Sequence, residues 1–171
     1  YRSMVNVCWG SGTSCWHEKE RDLKLGKKVY EGVGGMSEIY IGQEVTEEKI
    51  FDKKDVVEFA KITGDNNPLH LDEEYAKHGR FGKPIVHGVL IIGFISKIIG
   101  TQLPGCGSIY LEQNAQFRKP VYIGEKVIVK VKVAGCDRKV FKLDTNVFNE
   151  NGDCVISGTA KVLYEGETRV L

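Results

Sequence analysis

An acidic and a basic side chain, Asp65 and His70, lie five residues apart in the glycine- and proline-punctuated segment Gly64-Asp65-Asn66-Asn67-Pro68-Leu69-His70. A carboxylate and an imidazole held in one turn can bind a single water molecule and exchange a proton with it. Further along the chain, His87-Gly88 opens an apolar stretch whose first backbone amides can stabilise an oxyanion. Base, acid and oxyanion donor together predict addition of water to a polarised double bond, or its removal.

Local capping signals predict how the chain places this pair. Asp52 is a suitable N-cap for a helix whose apolar residues recur at helical spacing as far as Ile62. Gly64 ends that helix, and the pair Asn67-Pro68 cannot continue it. The acid and the base are therefore expected in a turn that follows the helix.

The stretch Val89–Ile99 is apolar almost all the way round, which predicts a buried helix. It is shorter than the roughly 20 residues that a membrane-spanning helix needs, and Lys97 interrupts it. A buried central helix is therefore the better interpretation.

From Ser108 onward the apolar residues recur at every second position, which is typical of half-buried strands. In the first such stretch the predicted inward-facing residues are Ile109, Leu111, Ala115 and Phe117. Four long strands with short turns predict an antiparallel meander. Its apolar face needs a cover, which the 89–99 helix can supply. The sequence thus predicts an α+β fold in which an antiparallel β-sheet wraps around a long central buried α-helix.

Two motifs in the chain resemble those of a known enzyme family. The first motif reads Phe59-Ala60-Lys61-Ile62-Thr63-Gly64-Asp65-Asn66-Asn67-Pro68-Leu69-His70, with Ala76 after five further residues. It resembles the motif of the MaoC-like (R)-specific enoyl-CoA hydratases, the hydratase 2 family, and the loop Phe81–Gly88 is similar to that family's second conserved loop. The resemblance covers residues 39 to about 164 and implies a single hot-dog fold.

The resemblance also implies the activity and the site. Asp65 and His70 would be the catalytic pair, Asn67 would support substrate binding, and the Gly88 amide would bind the thioester carbonyl. The reaction would be reversible hydration of a trans-2-enoyl-CoA to a (3R)-hydroxyacyl-CoA. Acyl carrier protein is the alternative to coenzyme A as the carrier of the acyl group. Coenzyme A would enter only as part of the substrate, and no metal or other cofactor is expected. Single-unit members of the family generally form homodimers or assemblies of dimers.

Other interpretations of the same residues stay open at this point. Asp65 is also a good turn former, Asn67 before a proline commonly stabilises a turn, and Gly88 could serve only as a helix-entry glycine. His87 is expected to be a loop or helix-cap residue rather than a second base. At the level of the whole protein, an acyl-CoA thioesterase would release free thiol, and a non-catalytic acyl-CoA-binding module would bind its ligand without turnover.

Composition limits the class of protein. A chain of 171 residues with 42% hydrophobic residues and a formal net charge of +1 is typical of one globular domain and argues against partners such as nucleic acid or a membrane. The five cysteines are an odd number without metal-type spacing, so reduced thiols and a cytoplasmic location are expected.

The beginning of the chain differs from the remainder. Residues 1–35 contain both tryptophans but no sustained helical or strand period. We interpret residues 1–35 as an appended, non-catalytic segment and residues 36–171 as the hydratase-like domain.

Overall fold

The computed structural model describes residues 39–165, together with the backbone of two short strands, β1 (Trp16–Glu18) and β2 (Tyr30–Gly32), that pair antiparallel. The predicted appended segment, residues 1–35, otherwise lies outside the described residues. The other elements, in chain order, are β3 (Glu44–Ile50), α1 (Lys53–Thr63), α2 (Pro68–Leu71), α3 (Glu73–His78), α4 (Gly88–Thr101), β4 (Ser108–Phe117), β5 (Lys126–Asp137), β6 (Val140–Asn149) and β7 (Cys154–Tyr164).

The main sheet has five antiparallel strands in the order β3-β5-β6-β7-β4. The predicted four-strand meander is wrong in one respect, because only β5, β6 and β7 follow one another in space while β4 pairs with β7 at the far edge. The chain between β4 and β5 is held against the loop before α4, where the Val86 N–H donates to the Val121 carbonyl at 2.8 Å. Alternation shows which face a side chain takes, but it does not show which strand lies alongside.

Helix α4 packs on the apolar face of this sheet, which confirms the α+β, hot-dog arrangement. Its buried side chains are Ile91, Ile95, Ile98 and Ile99. They meet the inward side chains of the central strands in one continuous core, among them Val127, Val129, Val131, Val133, Phe141, Leu143, Val147, Ile156, Ala160 and Val162. The opposite face of α4 is open in the single chain, since Val89 is 63% exposed.

A β-bulge changes which residues of β4 face the core. The pairing of β4 with β7 shifts between Tyr110 and Glu112. An extra residue inverts the alternation on one side of it, so Tyr110 and Ala115 pack against the core while Ile109 and Leu111 are 45% and 53% exposed. The predicted inward orientation of Ile109 and Leu111 is therefore wrong, and the edge strand carries exposed apolar side chains.

The capping prediction for α1 is confirmed. Asp52 is the N-cap, and its Oδ1 accepts a hydrogen bond from the Asp55 N–H at 2.8 Å, while the Asp55 carboxylate accepts from the Asp52 N–H. Gly64 ends the helix with φ of 78°, in the left-handed region that glycine adopts without steric cost. Among the described residues, no helix has the length and apolar character needed to cross a bilayer.

Candidate active site

Asp65 is the first residue after the glycine that ends α1, and its side chain is 50% exposed. Its Oδ1 accepts a hydrogen bond from the Asn67 N–H at 3.4 Å, and its own N–H donates to Thr63 Oγ1 at 3.3 Å. The carboxylate thus forms the local turn that its residue type favours. This turn engages Oδ1, while the second carboxylate oxygen, Oδ2, lies 3.9 Å from His87 Nε2.

His70 lies in α2, so the predicted turn around it is in fact one turn of helix. Asn67 is the N-cap of this helix, with its Oδ1 accepting from the Leu69 N–H at 3.1 Å, and Pro68 occupies the first helical position. The His70 Nδ1 lies 2.7 Å from the carbonyl oxygen of Ile85. A carbonyl only accepts, so Nδ1 carries the proton and the neutral ring presents an unprotonated Nε2.

His87 is the residue whose role the sequence indicated least well. It is the N-cap residue of α4, as expected, but within the described part of the chain its side chain makes no capping hydrogen bond. Its ring is instead 2% exposed and stacks on the ring of His70, with centroids 3.8 Å apart and planes inclined by 29°. The only sequence signal was an imidazole placed directly before Gly88.

Gly88 is the first residue of α4, and the first four amides of a helix have no partner within it. A Cβ on Gly88 would lie 2.4 Å from the ring of Phe117, far inside van der Waals contact. With Phe117 in this position, only glycine fits without a shift of the Phe117 ring or of the first turn of α4. The Gly88 amide lies at the positive end of the helix dipole, which favours a developing negative charge nearby.

Three side chains converge in front of this helix. Asp65, His70 and His87 each offer one carboxylate oxygen or ring nitrogen, and these atoms lie within 4.8 Å of one another. A water molecule that hydrogen-bonds to two such atoms joins groups about 4.5–5 Å apart. The same atom types also serve as metal ligands in proteins, so the expectation that the site needs no metal stays a prediction.

The environment of His87 disfavours its charged form. Burial lowers its pKa, and the neighbouring His70 acts in the same direction. The hydrogen bond to the Asp65 carbonyl and the Asp65 carboxylate act in the opposite direction, but the pKa of His87 remains below the ordinary histidine value of 6.5. His87 is therefore neutral at physiological pH.

This lowered pKa predicts that acid destabilises the fold. A histidine whose pKa is lower in the folded than in the unfolded chain binds fewer protons when folded. Its contribution to the free energy of unfolding is therefore complete above about pH 6.5. This contribution decreases as the pH falls toward the folded-state pKa. The slope is at most about 1.4 kcal/mol per pH unit. Urea unfolding of wild type and His87→Gln between pH 5 and 7.5 measures it. We expect a smaller slope in the variant, and equal slopes for wild type and His87→Gln would contradict the prediction.

Comparison with known proteins connects this geometry to a family. Residues 36–151 match the family model described as MaoC like domain. The chain is 40% identical to the (R)-specific enoyl-CoA hydratase of Aeromonas caviae over 124 residues, which cover 71% of this chain and 92% of that protein. It is 51% identical over 86 residues to the 3-hydroxybutyryl-CoA dehydratase of Methylorubrum extorquens, covering 50% of this chain and 55% of that protein.

Solved structures show the same relationship. The (R)-hydratase from A. caviae involved in PHA biosynthesis superposes with a TM-score of 0.71 at 38% identity, covering 72% of this chain and 96% of that chain. An R-hydratase from Pseudomonas aeruginosa superposes with a TM-score of 0.71 at 37% identity, covering 74% of this chain and 83% of that chain. The family-model match and the shared fold establish that this chain belongs to the MaoC-like domain family.

Proposed function

We propose that this protein is an (R)-specific 2-enoyl-CoA hydratase, which in the reverse direction dehydrates (3R)-hydroxyacyl-CoA. The observation that carries the proposal is the spacing of the Asp65 carboxylate and the His70 ring, within 4.8 Å of each other and of His87. This spacing suits one water molecule between an acid and a base. The first amide of α4, at Gly88, follows directly in the chain from His87.

Asp65 and His70 supply the proton transfers. In a 2-enoyl thioester the carbonyl withdraws electrons, so the water oxygen forms its bond to C3 while the C2–C3 π electrons move onto the thioester as an enolate. The proton lost by the water passes to the Asp65–His70 pair, and the pair delivers one proton to C2, which restores its starting state. Proton transfer by positioned groups contributes roughly 10²–10⁴-fold to the rate.

The Gly88 amide stabilises the charge that develops on the thioester oxygen. A backbone donor at a helix start is already oriented, so no reorganisation is needed during the reaction. Asn67 fixes α2 through its Oδ1, which leaves its Nδ2 group as the donor for the substrate. The two roles implied for Asn67, turn stabiliser and substrate support, are thus compatible.

The substrate class rests on the relatives. The A. caviae and Rhodospirillum rubrum relatives are (R)-specific enoyl-CoA hydratases, and the chain covers 92% and 85% of their lengths. A relative in Solanum lycopersicum is a 3-hydroxyacyl-[acyl-carrier-protein] dehydratase, at 34% identity. We propose coenzyme A rather than acyl carrier protein as the carrier, since the (R)-specific hydratase relatives show the higher identities.

The decisive test is the loss of enoyl absorbance when the protein is added to crotonyl-CoA, with free thiol measured in the same samples. We expect loss of absorbance without thiol release and formation of (3R)-hydroxybutyryl-CoA, identified by chiral chromatography. Thiol release would identify a thioesterase. Saturable binding of crotonyl-CoA without turnover would identify a binding module. Turnover of the acyl-carrier-protein thioester alone would reassign the carrier.

The proposed chemistry uses only protein groups and water, so we expect hydration to be insensitive to chelators. Dialysis against EDTA, followed by assay in metal-free buffer, should leave kcat/KM unchanged within about twofold. Adding Zn²⁺ or Mg²⁺ back should not raise the rate above that of the undialysed protein. A loss that a metal ion restores would contradict this prediction.

We also propose that the protein forms a homodimer through the edge strand β4. An edge strand offers unpaired backbone groups to a partner, and β4 exposes Ile109, Leu111 and Phe117 at 45%, 53% and 57%. Phe117 packs against Gly88, so a partner on this edge would lie close to the oxyanion donor.

Light scattering coupled to size-exclusion chromatography tests this proposal. The wild type should elute with twice the mass of the chain, and Leu111→Glu should shift it toward the monomer. Ile62→Glu is the matched control, because Ile62 is 84% exposed but belongs to α1 rather than to β4. A monomeric wild type, or equal masses for wild type and Leu111→Glu, would contradict the dimer.

A further inference from the structure

His87 contacts Asp65 and His70 and directly precedes α4, although it takes no part in the proposed proton transfers. It precedes Gly88 in the chain, and its Nε2 lies 3.2 Å from the backbone oxygen of Asp65. Its ring stacks on His70 and also contacts Phe59 of α1, with ring centroids 5.0 Å apart. One buried side chain therefore touches the base, the acid and the start of the oxyanion helix.

The hydrogen bonds around His87 assign its tautomer. The Asp65 carbonyl only accepts, so Nε2 must donate and must carry the proton. Nδ1 is buried and has no hydrogen-bond partner in the described part of the chain. A proton on Nδ1 would be an unsatisfied buried donor and would place a cation beside His70, and both are unfavourable. The two stacked rings therefore carry their protons on opposite nitrogens, Nε2 in His87 and Nδ1 in His70.

Asp65 depends on this contact because its other contacts are local. Its hydrogen bonds to Thr63 and Asn67 span two residues each and shape the turn. They do not place the turn relative to α4. The bond from His87 Nε2 to the Asp65 carbonyl spans 22 residues, and in the described part of the chain it joins the Asp65 turn to the loop before α4.

We propose that His87 is a positioning residue for hydration, holding the Asp65 turn through Nε2–H and the His70 ring through stacking, so that both remain at the spacing of one water molecule. This inference rests on the proposed function. The inference adds that the relative positions of Asp65, His70 and Gly88 are set by His87, a residue that exchanges no proton with the substrate. A misplacement of about 1 Å in a reacting group can cost on the order of 10²-fold in rate.

Three substitutions at position 87 separate the two contacts. The Gln amide nitrogen reaches the place of Nε2, whereas the Asn amide nitrogen reaches only that of Nδ1, and Phe keeps the ring without a donor. His87→Gln keeps the donor and loses only the stacking, and we expect it to lower kcat for crotonyl-CoA by no more than about fivefold, because the hydrogen bond to the Asp65 carbonyl makes the larger contribution. We expect kcat to fall about 10- to 100-fold in His87→Asn and His87→Phe, with KM within about threefold of wild type in both. A general loss of structure would change KM as well as kcat. It would also affect His87→Gln as much as His87→Asn.

An unchanged kcat in folded His87→Asn and His87→Phe would overturn the inference while leaving the proposed hydratase intact. If these variants do not fold, the imidazole ¹⁵N chemical shifts of the wild type at pH 7 decide the question instead. A neutral His87 with its proton on Nε2 and a His70 with its proton on Nδ1 support the inference. A charged His87, or a proton on its Nδ1, refutes it. The shifts are read without turnover, so failure of the hydratase assay stays distinguishable from failure of the His87 inference.

Discussion

Replacing Asp65 with asparagine should lower kcat/KM for crotonyl-CoA by about 10²–10⁴-fold, the range contributed by a positioned acid–base group. The asparagine amide is nearly isosteric with the carboxylate but cannot accept a proton from the water. Its oxygen can still accept the hydrogen bond that Asp65 Oδ1 receives from the Asn67 N–H. The turn should therefore persist, so the loss of rate reports on chemistry rather than on folding.

Asp72→Asn is the matched control for this experiment. Asp72 is the exposed N-cap of α3, where its Oδ1 accepts from the Tyr75 N–H at 3.0 Å. Asparagine caps a helix about as well as aspartate does, so neither stability nor rate should change. Retention of more than half of the wild-type kcat/KM by Asp65→Asn would show that Asp65 is only a turn former, and the catalytic assignment would be wrong.

Replacing Gly88 with alanine should be the second most damaging change. The new Cβ would lie 2.4 Å from the Phe117 ring, so either the ring or the first turn of α4 must move. A shift of the donor by about 1 Å is expected to lower kcat on the order of 10²-fold. Because Phe117 is 57% exposed, its ring can partly yield, and the free energy of unfolding should fall by only about 1 kcal/mol, the lower end for overpacking.

A control in the same helix and a double variant isolate this contact. Gly100 also belongs to α4, but an added Cβ there would meet no described atom within 4 Å. Gly100→Ala should therefore leave kcat unchanged. Phe117→Leu removes part of the ring, so it should restore part of the activity lost in Gly88→Ala, which double-mutant analysis measures as coupling. Equal kcat in wild type and Gly88→Ala would contradict the assigned donor.

The two predictions concern opposite sides of the substrate. In the proposed mechanism, Asp65 acts at the carbon that the water attacks, and the Gly88 amide acts at the thioester oxygen on which negative charge develops. His87 contacts the backbone of the first and directly precedes the second. In the proposed mechanism, the loop before α4 therefore also sets the distance between the attacking water and the oxyanion donor.

Local features of this protein could be predicted from its sequence with good accuracy. Asp52 and Gly64 bound α1 as expected, because a helix cap depends on side chain and backbone within a few residues. The long apolar stretch predicted α4, and the period-two pattern predicted the strands. The motif around Asp65 and His70 identified the family, and its spacing alone indicated water chemistry.

Contacts between distant parts of the chain could not be predicted in the same way. Pairing of β4 with β7 depends on the path of the connection after β4, and alternation of residue types contains no information about that path. The bulge after Tyr110 inverts one face of β4 by a single residue, and nothing in the spacing of Ile109 and Leu111 indicates it. These two features leave an apolar edge strand exposed, and this edge supports the proposed dimer.

The same distinction between local and long-range contacts applies to the candidate active site. The sequence by itself determined which residues are proposed as the acid–base pair, because Asp65, Asn67 and His70 belong to one short segment whose turn and cap are local. Only the tertiary structure decided what holds them, because Ile85, His87 and Phe117 come from loops and strands far along the chain. Their contacts assign the tautomer of His70, bury the ring of His87 and require glycine at position 88. A residue's type limits its chemistry, but its proton position and its neighbours depend on which distant groups the folded core brings into contact.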